Sequence, residues 1–316
     1  EIVNDYSFID GVMKGHAEGG CLSLMQCLSD NGDLAKVSNL VFKGSDGVVR
    51  DNTLTRALHA PTMPDINSLI YGDLSNLRHA DVYSSSFGFP LAYGREYSRI
   101  ENQKMLSMGR AFFPLFVGRG CPWQCTFCGG NRDTLRRVNG TNKLQWRKID
   151  VVLDDIRRAK DHGYQTMALC FDPTPERDDY YVELMERIAS EKLGVDFYFE
   201  CWGLPTKRFI HTFRNAFPSP ESYLAVSPDS GSDHVRKINK QPYYTNADLF
   251  RALDHMSDVG LSCDVFYTIA LPGEDIHSAR ETAQQMNDVA AKYDNARRIM
   301  VWSVQLEPGS AQFEKP

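Results

Sequence analysis

No run of eighteen or more apolar residues occurs anywhere in the chain, so the sequence offers no membrane-spanning helix. An excess of positive charge is also missing. Against 41 Asp and Glu stand 35 Lys and Arg, giving a net charge of -6 and a pI near 5.8, which leaves no broad basic surface for nucleic acid. Small molecules or proteins are the expected substrates, and neither nucleic acid nor a membrane is an expected partner. The eight cysteines do not form a secreted disulfide framework, because three fall within eight residues and the others are scattered. That usage fits a reducing, cytoplasmic setting. No charged stretch with a following apolar core opens the chain, which begins at Glu1, so no signal peptide is expected and the sequence reads as a piece of something longer.

Hydrophobic residues make up 42% of the 316 residues and charged residues 24%, enough for one large buried core with a smaller attachment. From about Phe112 onward, short apolar runs alternate with stretches of helical period, the pattern of βα units around a parallel sheet. Six strands are predicted: Phe113 to Val117, Thr166 to Phe171, Val195 to Glu200, Tyr223 to Ser227, Cys263 to Ala270, and Ile299 to Leu306. Several are almost continuously apolar, as strands covered on both faces are. Between them, Ile149, Val152, Leu153 and Ile156 share one helical face, as do Tyr181, Leu184, Met185 and Ile188. Leu249, Leu253 and Met256, and Ala279, Ala283, Met286 and Val289, mark two more such faces, while Gly163, Gly194 and Gly260 stand where helices should stop. The fold class expected is α/β, a partial (βα)6 TIM-like barrel over residues 111–316.

The first 110 residues follow another rhythm. An apolar segment, Phe8 to Met13, leads through Gly15, Gly19 and Gly20 to a helical stretch with Leu22, Leu24, Met25 and Leu28. Asn39 to Phe42 and Val48–Val49 then flank a hairpin turn at Asp46–Gly47. These features define an N-terminal α/β remnant over residues 1–50. Residues 51–110, with Pro61, Pro64 and Pro90, are too long for an ordinary connection and are expected to be a linker wrapped on the barrel.

Chemistry concentrates just after the first barrel strand, in Gly118-Arg119-Gly120-Cys121-Pro122-Trp123-Gln124-Cys125-Thr126-Phe127-Cys128-Gly129-Gly130. Three thiolates on a Gly-rich loop are soft ligands suited to iron-sulfur clusters or zinc. A closed structural zinc site needs a fourth ligand, and the next cysteine is as distant as Cys170. The alternatives are chance core cysteines or zinc with a remote fourth ligand. The open coordination position favours a catalytic cluster.

Cys-x3-Cys-x2-Cys, with aromatic Phe127 before the last cysteine and a βα series behind it, resembles the radical S-adenosylmethionine (SAM) superfamily. The resemblance runs from about Phe112 to the C-terminus. It implies that Cys121, Cys125 and Cys128 hold three irons of a [4Fe-4S] cluster, that SAM chelates the fourth, and that its one-electron cleavage yields a 5'-deoxyadenosyl radical. It further implies SAM contacts just beyond the strand ends, where ligands of such folds lie. Asp172, after the second strand, would hold the SAM amine or else cap the following helix. In Ser227-Pro228-Asp229-Ser230-Gly231, Asp229 and Ser230 inherit the ribose contacts beside Ser227, and Lys240 the carboxylate contact, unless it is a solvated surface lysine. Leu271-Pro272-Gly273-Glu274 is similar to the segment beside the adenine, with Gly273 and Glu274 at its turn. The Gly15 to Glu18 turn and its flanking elements resemble the tail of the cobalamin-binding domain that precedes the barrel in one branch, here truncated, which would add cobalamin as a cofactor. The Asp-x-His-x-x-Gly cobalt-ligand motif is absent, and His16 and His79 read as ordinary histidines. The resemblance thus implies an enzyme that takes electrons from a flavodoxin or ferredoxin, such as a cobalamin-dependent methyltransferase or rearranging enzyme. A methylthiotransferase-like modifier or a non-catalytic iron-sulfur or metal protein is the alternative. Outside the motifs, the Tyr243–Tyr244 pair would pack or face the active site, Thr245 would cap a helix, and Glu200, Cys201 and Trp202 would end the third strand near the substrate.

Overall fold

The alternation of apolar runs and amphipathic stretches becomes, in a computed structural model, a parallel sheet flanked by helices. The structure describes residues 2–54, 64–86, 111–173 and 178–314. They divide into two units, one of Glu1–Leu69, Gly120–Pro122 and Gly130–Gln145, the other of Ile70–Arg119, Trp123–Gly129 and Trp146–Pro316.

In the first unit, strands β1 (Gly11–Met13), β2 (Leu40–Lys43) and β3 (Val49–Asp51) form a small antiparallel sheet in that order. The expected hairpin joins β2 to β3. Gly47 takes a φ of +77°, which the tight turn demands and a side chain would resist. Asp46 and Arg50 brace the turn by a two-pronged ion pair at 2.8 and 2.6 Å. Helix α1 (Glu18–Ser29) and the sheet share a core of Val37, Leu40 and Phe42, with Met13 and Leu24 packed on it. Helix α2 (Arg132–Asn139) starts at Asn131, whose side chain accepts the N–H groups of Asp133 and Thr134, and stops at Gly140 in the left-handed region. His16 is tied to this unit through its backbone N–H, which donates to Asn139 Oδ1 at 2.9 Å.

The second unit holds six parallel strands: β4 (Phe112–Pro114), β5 (Thr166–Leu169), β6 (Asp196–Cys201), β7 (Tyr223–Asp229), β8 (Cys263–Ile269) and β9 (Ala296–Ser303). Their spatial order is their chain order, and β4 and β9 form the two edges, the topology of an open, partial barrel. Five strands match their expected positions within two residues at the start, while β9 begins three residues before Ile299. Helices α3 (Ile149–Asp161), α4 (Asp178–Ser190), α5 (Lys207–Ala216), α6 (Asp233–Asn239), α7 (Asn246–Asp258) and α8 (Ile276–Lys292) complete the series. Gly163, Gly194 and Gly260 follow α3, α4 and α7 at positive φ, stopping each helix as their sequence positions imply. The α3, α4 and α7 faces bury the residues that the spacing selects.

One helix is turned relative to its predicted face. α8 buries Ser278, Thr282, Gln285 and Val289 and leaves Ala283 exposed. Two polar contacts set that rotation. Thr282 Oγ1 accepts the Gly231 N–H at 2.9 Å, and Gln285 Oε1 accepts the Tyr267 hydroxyl at 3.2 Å. A buried polar group with a partner is tolerated, so the apolar stripe yields to these bonds.

Of the proposed linker, positions 55–63 and 87–110, including Pro61 and Pro90, lie outside the described residues. Tyr71 and Gly72 dock in the second unit. The Gly72 N–H donates to Asp155 Oδ1 at 3.1 Å, and a Cβ at Gly72 would stand 2.7 Å from the Asp155 carbonyl oxygen, so only glycine fits there. Asp155 also pairs with Arg147 at 2.6 Å, both side chains being fully buried, while Arg147 donates to the Phe116 carbonyl at 2.8 Å and stacks over Tyr71. Removing one member of a buried pair strands the other charge. Arg147→Met is therefore expected to lower unfolding free energy by about 3–5 kcal/mol, measured by urea denaturation, whereas a loss below about 1 kcal/mol would be the value for an exposed pair.

Candidate active site

Residues Trp123–Gly129 belong to the barrel unit, and backbone groups anchor them there. Thr126 donates its N–H to the Asn239 carbonyl at 3.0 Å and its hydroxyl to Asn239 Oδ1 at 2.5 Å, while its carbonyl accepts the Gln312 N–H at 3.0 Å. Gln124 N–H donates to Gln241 Oε1 at 2.9 Å, and Gly129 N–H to Glu307 Oε2 at 2.5 Å. A Cβ on Gly129 would come within 2.8 Å of the Pro308 carbonyl, so the loop closes on this segment only with glycine. Cys125 and Cys128 are half-buried, and Cys125 Sγ accepts the Gln241 N–H at 3.3 Å. Burial pushes the Cys125 thiol up, and the Gln241 N–H and the Lys240 charge act against that. An N–H aimed at sulfur suits a thiolate ligand of iron, whose potential such bonds tune. Cys121, in the first unit, is also half-buried.

Behind the loop, the residues expected around SAM's ribose and carboxylate meet in one buried knot. Lys240 Nζ donates to Asp229 Oδ2 at 2.7 Å, and Thr268 Oγ1 donates to Asp229 Oδ1 at 3.1 Å. Lys240 is only 7% exposed, which overturns the reading of a solvated surface lysine. Burial alone would lower its pKa, but the Asp229 carboxylate more than offsets that and holds the ammonium above the usual lysine range. Asp229 sits at φ +60°, a left-handed conformation that costs energy in a residue with a side chain and recurs where sites are held rigidly. Ser227 is half-buried on the same strand, its carbonyl accepting the Tyr244 hydroxyl at 2.9 Å. Ser230 is drawn elsewhere. Fully buried, it accepts the Ser232 N–H at 3.1 Å and lies 3.4 Å from the Thr282 hydroxyl, fixing the turn against α8.

Two residues that received no role from the sequence hold this knot. Asn239, 1% exposed, receives both Thr126 bonds and donates Nδ2 to the Val235 and Pro272 carbonyls at 2.9 and 2.8 Å, so one side chain joins the cysteine loop to the loop after β8. Arg236, fully buried, donates to Asp233 Oδ1, Asn246 Oδ1 and the Pro228, Ser230 and Tyr244 carbonyls. Their signal was adjacency to Lys240 in one short helix. A polar residue on a helix of seven residues shows no direction in sequence. Tyr244 packs under Arg236 and Tyr243 is exposed, while Thr245 caps α7 with Asp248 in a reciprocal capping box.

Asp172, 1% exposed, accepts the N–H groups of Trp202 and Gly203 at 2.8 and 3.3 Å, linking the ends of β5 and β6. Thr174 to Glu176, in the stretch expected to follow it, lie outside the described residues. Gly273 takes φ +78°, and Glu274 accepts the Ala270 N–H at 2.6 Å, closing the turn after β8. Phe127 lines a cleft of about 330 Å³ with Thr268, Trp302, Ser303 and Glu307. The strand ends thus gather Cys125, Phe127, Asp229 and Lys240 on one side of the sheet's carboxyl edge, and Asp172 lies two strands away from Asp229.

Residues 115–286 match the Radical SAM superfamily. No curated protein matches the chain. Among solved structures, the radical S-adenosylmethionine methyltransferase TsrM from Kitasatospora setae, with tryptophan substrate and a SAM analog bound, superposes with a TM-score of 0.64 at 14% identity, over 96% of this chain and 53% of that one. The cobalamin-dependent S-adenosylmethionine radical enzyme OxsB, with aqua-cobalamin bound, gives a TM-score of 0.55 at 13% identity, over 96% and 38%. At such identities the likeness is one of fold. The chain spans about half the length of the first of these and less of the second.

The Asp229–Lys240 pair makes a quantitative expectation. Lys240→Met leaves a buried carboxylate with only the Thr268 hydroxyl, so it should cost about 3–5 kcal/mol, and the double variant Asp229→Asn/Lys240→Met should recover much of that loss. Denaturant midpoints of the wild type, single and double variants check it, and equal losses in the single and double variants would contradict the pairing.

Proposed function

The chain belongs to the radical SAM superfamily, whose enzymes use a [4Fe-4S] cluster and SAM, and on that premise we propose that Cys121, Cys125 and Cys128 each ligate one iron of such a cluster. The observation that carries the proposal is the cysteine loop fastened by Asn239, Gln241 and Glu307 at the carboxyl end of the parallel sheet. Among the described residues no three His, Cys, Asp or Glu side chains converge on a single-ion site. A cluster asks for no such convergence, since each cysteine holds a different iron. When bound, the cluster and SAM supply a 5'-deoxyadenosyl radical for hydrogen abstraction.

The chain's own residues then position and shield. Phe127 and the cleft beside it offer an apolar wall for the adenine, and the Gly273–Glu274 turn is the segment whose backbone would read the base edge. Asp229 keeps acceptor capacity for ribose hydroxyls after binding Lys240 and Thr268, and Lys240 has two N–H bonds left for the SAM carboxylate. Asp172 is the acidic group for the SAM amine. Ser227 lies beside the ribose site, whereas the Ser230 hydroxyl is already engaged, so its part is to hold the turn. Asp172, Asp229 and Lys240 are themselves buried, which holds their polar contacts out of water.

For the reaction, we favour cobalamin-dependent methyl transfer or rearrangement on a small-molecule or protein substrate, with electrons from a flavodoxin or ferredoxin in the cytoplasm. Support comes from the N-terminal three-stranded unit, read as the end of a cobalamin-binding domain over residues 1–50, and from the fold likeness to TsrM and OxsB. No described helix is long and apolar enough to cross a membrane. Anaerobic reconstitution with iron and sulfide, then reduction with dithionite in the presence of SAM, should yield 5'-deoxyadenosine by mass spectrometry. Cys125→Ala should yield none. A wild-type protein that binds zinc and forms no nucleoside would contradict the proposal.

A further inference from the structure

Side chains of the barrel strands divide between two faces. Met167, Leu169, Phe197, Phe199, Cys201, Leu224 and Val226 pack in the main core beneath the helices, whereas Ala168, Tyr198, Tyr223 and Ala225 form a separate cluster on the inner face with Phe112 and Phe266. Alternation carries that inner face on to Cys170 and Glu200 at the strand ends. The register agrees, since Ala168 lies opposite Tyr198 and Glu200 opposite Ala225. Cys170 follows the Leu169–Phe199 pair and so stands beside Glu200 at the strand ends, and the Tyr198 hydroxyl below donates to Glu200 Oε2 at 3.3 Å. These three groups form a cluster of titratable side chains at the carboxyl ends of β5 and β6. The other inner charges are compensated, Asp264 by Arg298 and Asp229 by Lys240, whereas the described partners of Glu200 are a thiol and a phenol.

Cys170 differs from the remaining barrel cysteines. Cys201 and Cys263 are sealed in the core, whereas Cys170 is accessible. Small neighbours, Ala168 and Ala225, stand beside the pair on the inner face. Resting on the reading above that a carbon radical is generated at this end of the barrel, we propose that Cys170, positioned by Glu200, gives a hydrogen atom to a carbon radical within it. The S–H bond breaks homolytically and a C–H bond forms, leaving a thiyl radical on Cys170. One electron from the one-electron reductant that serves the enzyme, and one proton, restore the thiol. An S–H bond is weaker than an aliphatic C–H bond, so the transfer runs downhill.

The surroundings favour a hydrogen donor over a nucleophile or a ligand. Those roles need a thiolate, and thiolates are made beside cations or helix N-termini. Here partial desolvation at the strand end first, then the Glu200 charge, push the accessible Cys170 thiol up. The sulfur therefore keeps its hydrogen, and that hydrogen exchanges with solvent. Glu200 holds the S–H in place, and the Tyr198 hydroxyl offers a neighbouring proton for return.

Two measurements test this, one of them on metal-free protein. In the apoprotein at pH 8, iodoacetamide should alkylate Cys170 more slowly than exposed Cys21 by about ten-fold or more, and Glu200→Gln should speed it; equal rates at Cys170 and Cys21 would overturn the account. In the reconstituted protein with SAM and dithionite in deuterium oxide, without added substrate, the 5'-deoxyadenosine formed should carry one deuterium from the exchanged thiol. Cys170→Ser, which keeps size and polarity but has a far stronger O–H bond, should reduce that label about ten-fold or more. Cys170→Ala is the second variant should the serine perturb folding, and Cys21→Ala should keep the label. Unlabelled nucleoside from the wild type, or label undiminished in both Cys170 variants, overturns the inference while leaving the cluster reading intact. Absence of any nucleoside from the wild type defeats the cluster reading first, and this one with it.

Discussion

Asn239 is the peg on which the site hangs. Its backbone carbonyl and Oδ1 take both polar hydrogens of Thr126, in the middle of the cysteine loop, while Nδ2 reaches the Pro272 carbonyl beyond β8. The next residue, Lys240, enters the ion pair with Asp229 at the end of β7, and Gln241 N–H meets Cys125 Sγ. Three consecutive residues thus fix the loop, two strand ends and the Cys125 sulfur. A bulky cluster needs a flexible backbone around it, and a radical reaction needs its parts held closely. The chain meets both demands by leaving the loop glycine-rich and pinning it from outside.

The same division governs the barrel as a whole. The helix-covered face is apolar and tightly filled, and it supplies the stability that a strained Asp229 at φ +60° and a buried lysine require. The inner face is the polar one. It carries Asp264 with Arg298 at the base, then Tyr223 and Tyr198, and Glu200 with Cys170 at the carboxyl end. Arg236 ties the end of β7 to α6 and α7, its guanidinium bonded to carbonyls and side chains around that strand end.

Most of the barrel was legible in the sequence because two periodicities are strong there. Continuous apolar runs gave six strands in the observed order, and glycines marked three helix ends that the structure places at positive φ. The first unit's helix and hairpin were legible for the same reason, Asp46–Gly47 being a direct turn signal. The face of α8 was misjudged, since period counts only apolar residues and cannot see that Thr282 and Gln285 have partners waiting at Gly231 and Tyr267. Within the site, the cysteines were visible as spacing and Lys240 as a motif position. The Asp229–Lys240 bond was not, because both residues had been given separate ligand contacts, and no sequence pattern shows that two polar residues eleven apart will face each other. Asn239 and Glu307 reach backbone groups of distant loops, and Arg236 reaches irregularly spaced neighbours, and such contacts leave no periodic trace.

The central claim is that the Cys121–Cys128 loop carries a cluster with one iron open to SAM. Electron paramagnetic resonance of the reconstituted, reduced protein, recorded with and without SAM, tests it most directly. A reduced [4Fe-4S] signal whose shape and g-values change on adding SAM is the predicted result, since the cofactor would bind the cluster itself. A protein that takes up no iron-sulfur cluster, or whose cluster spectrum is indifferent to SAM, would contradict the account.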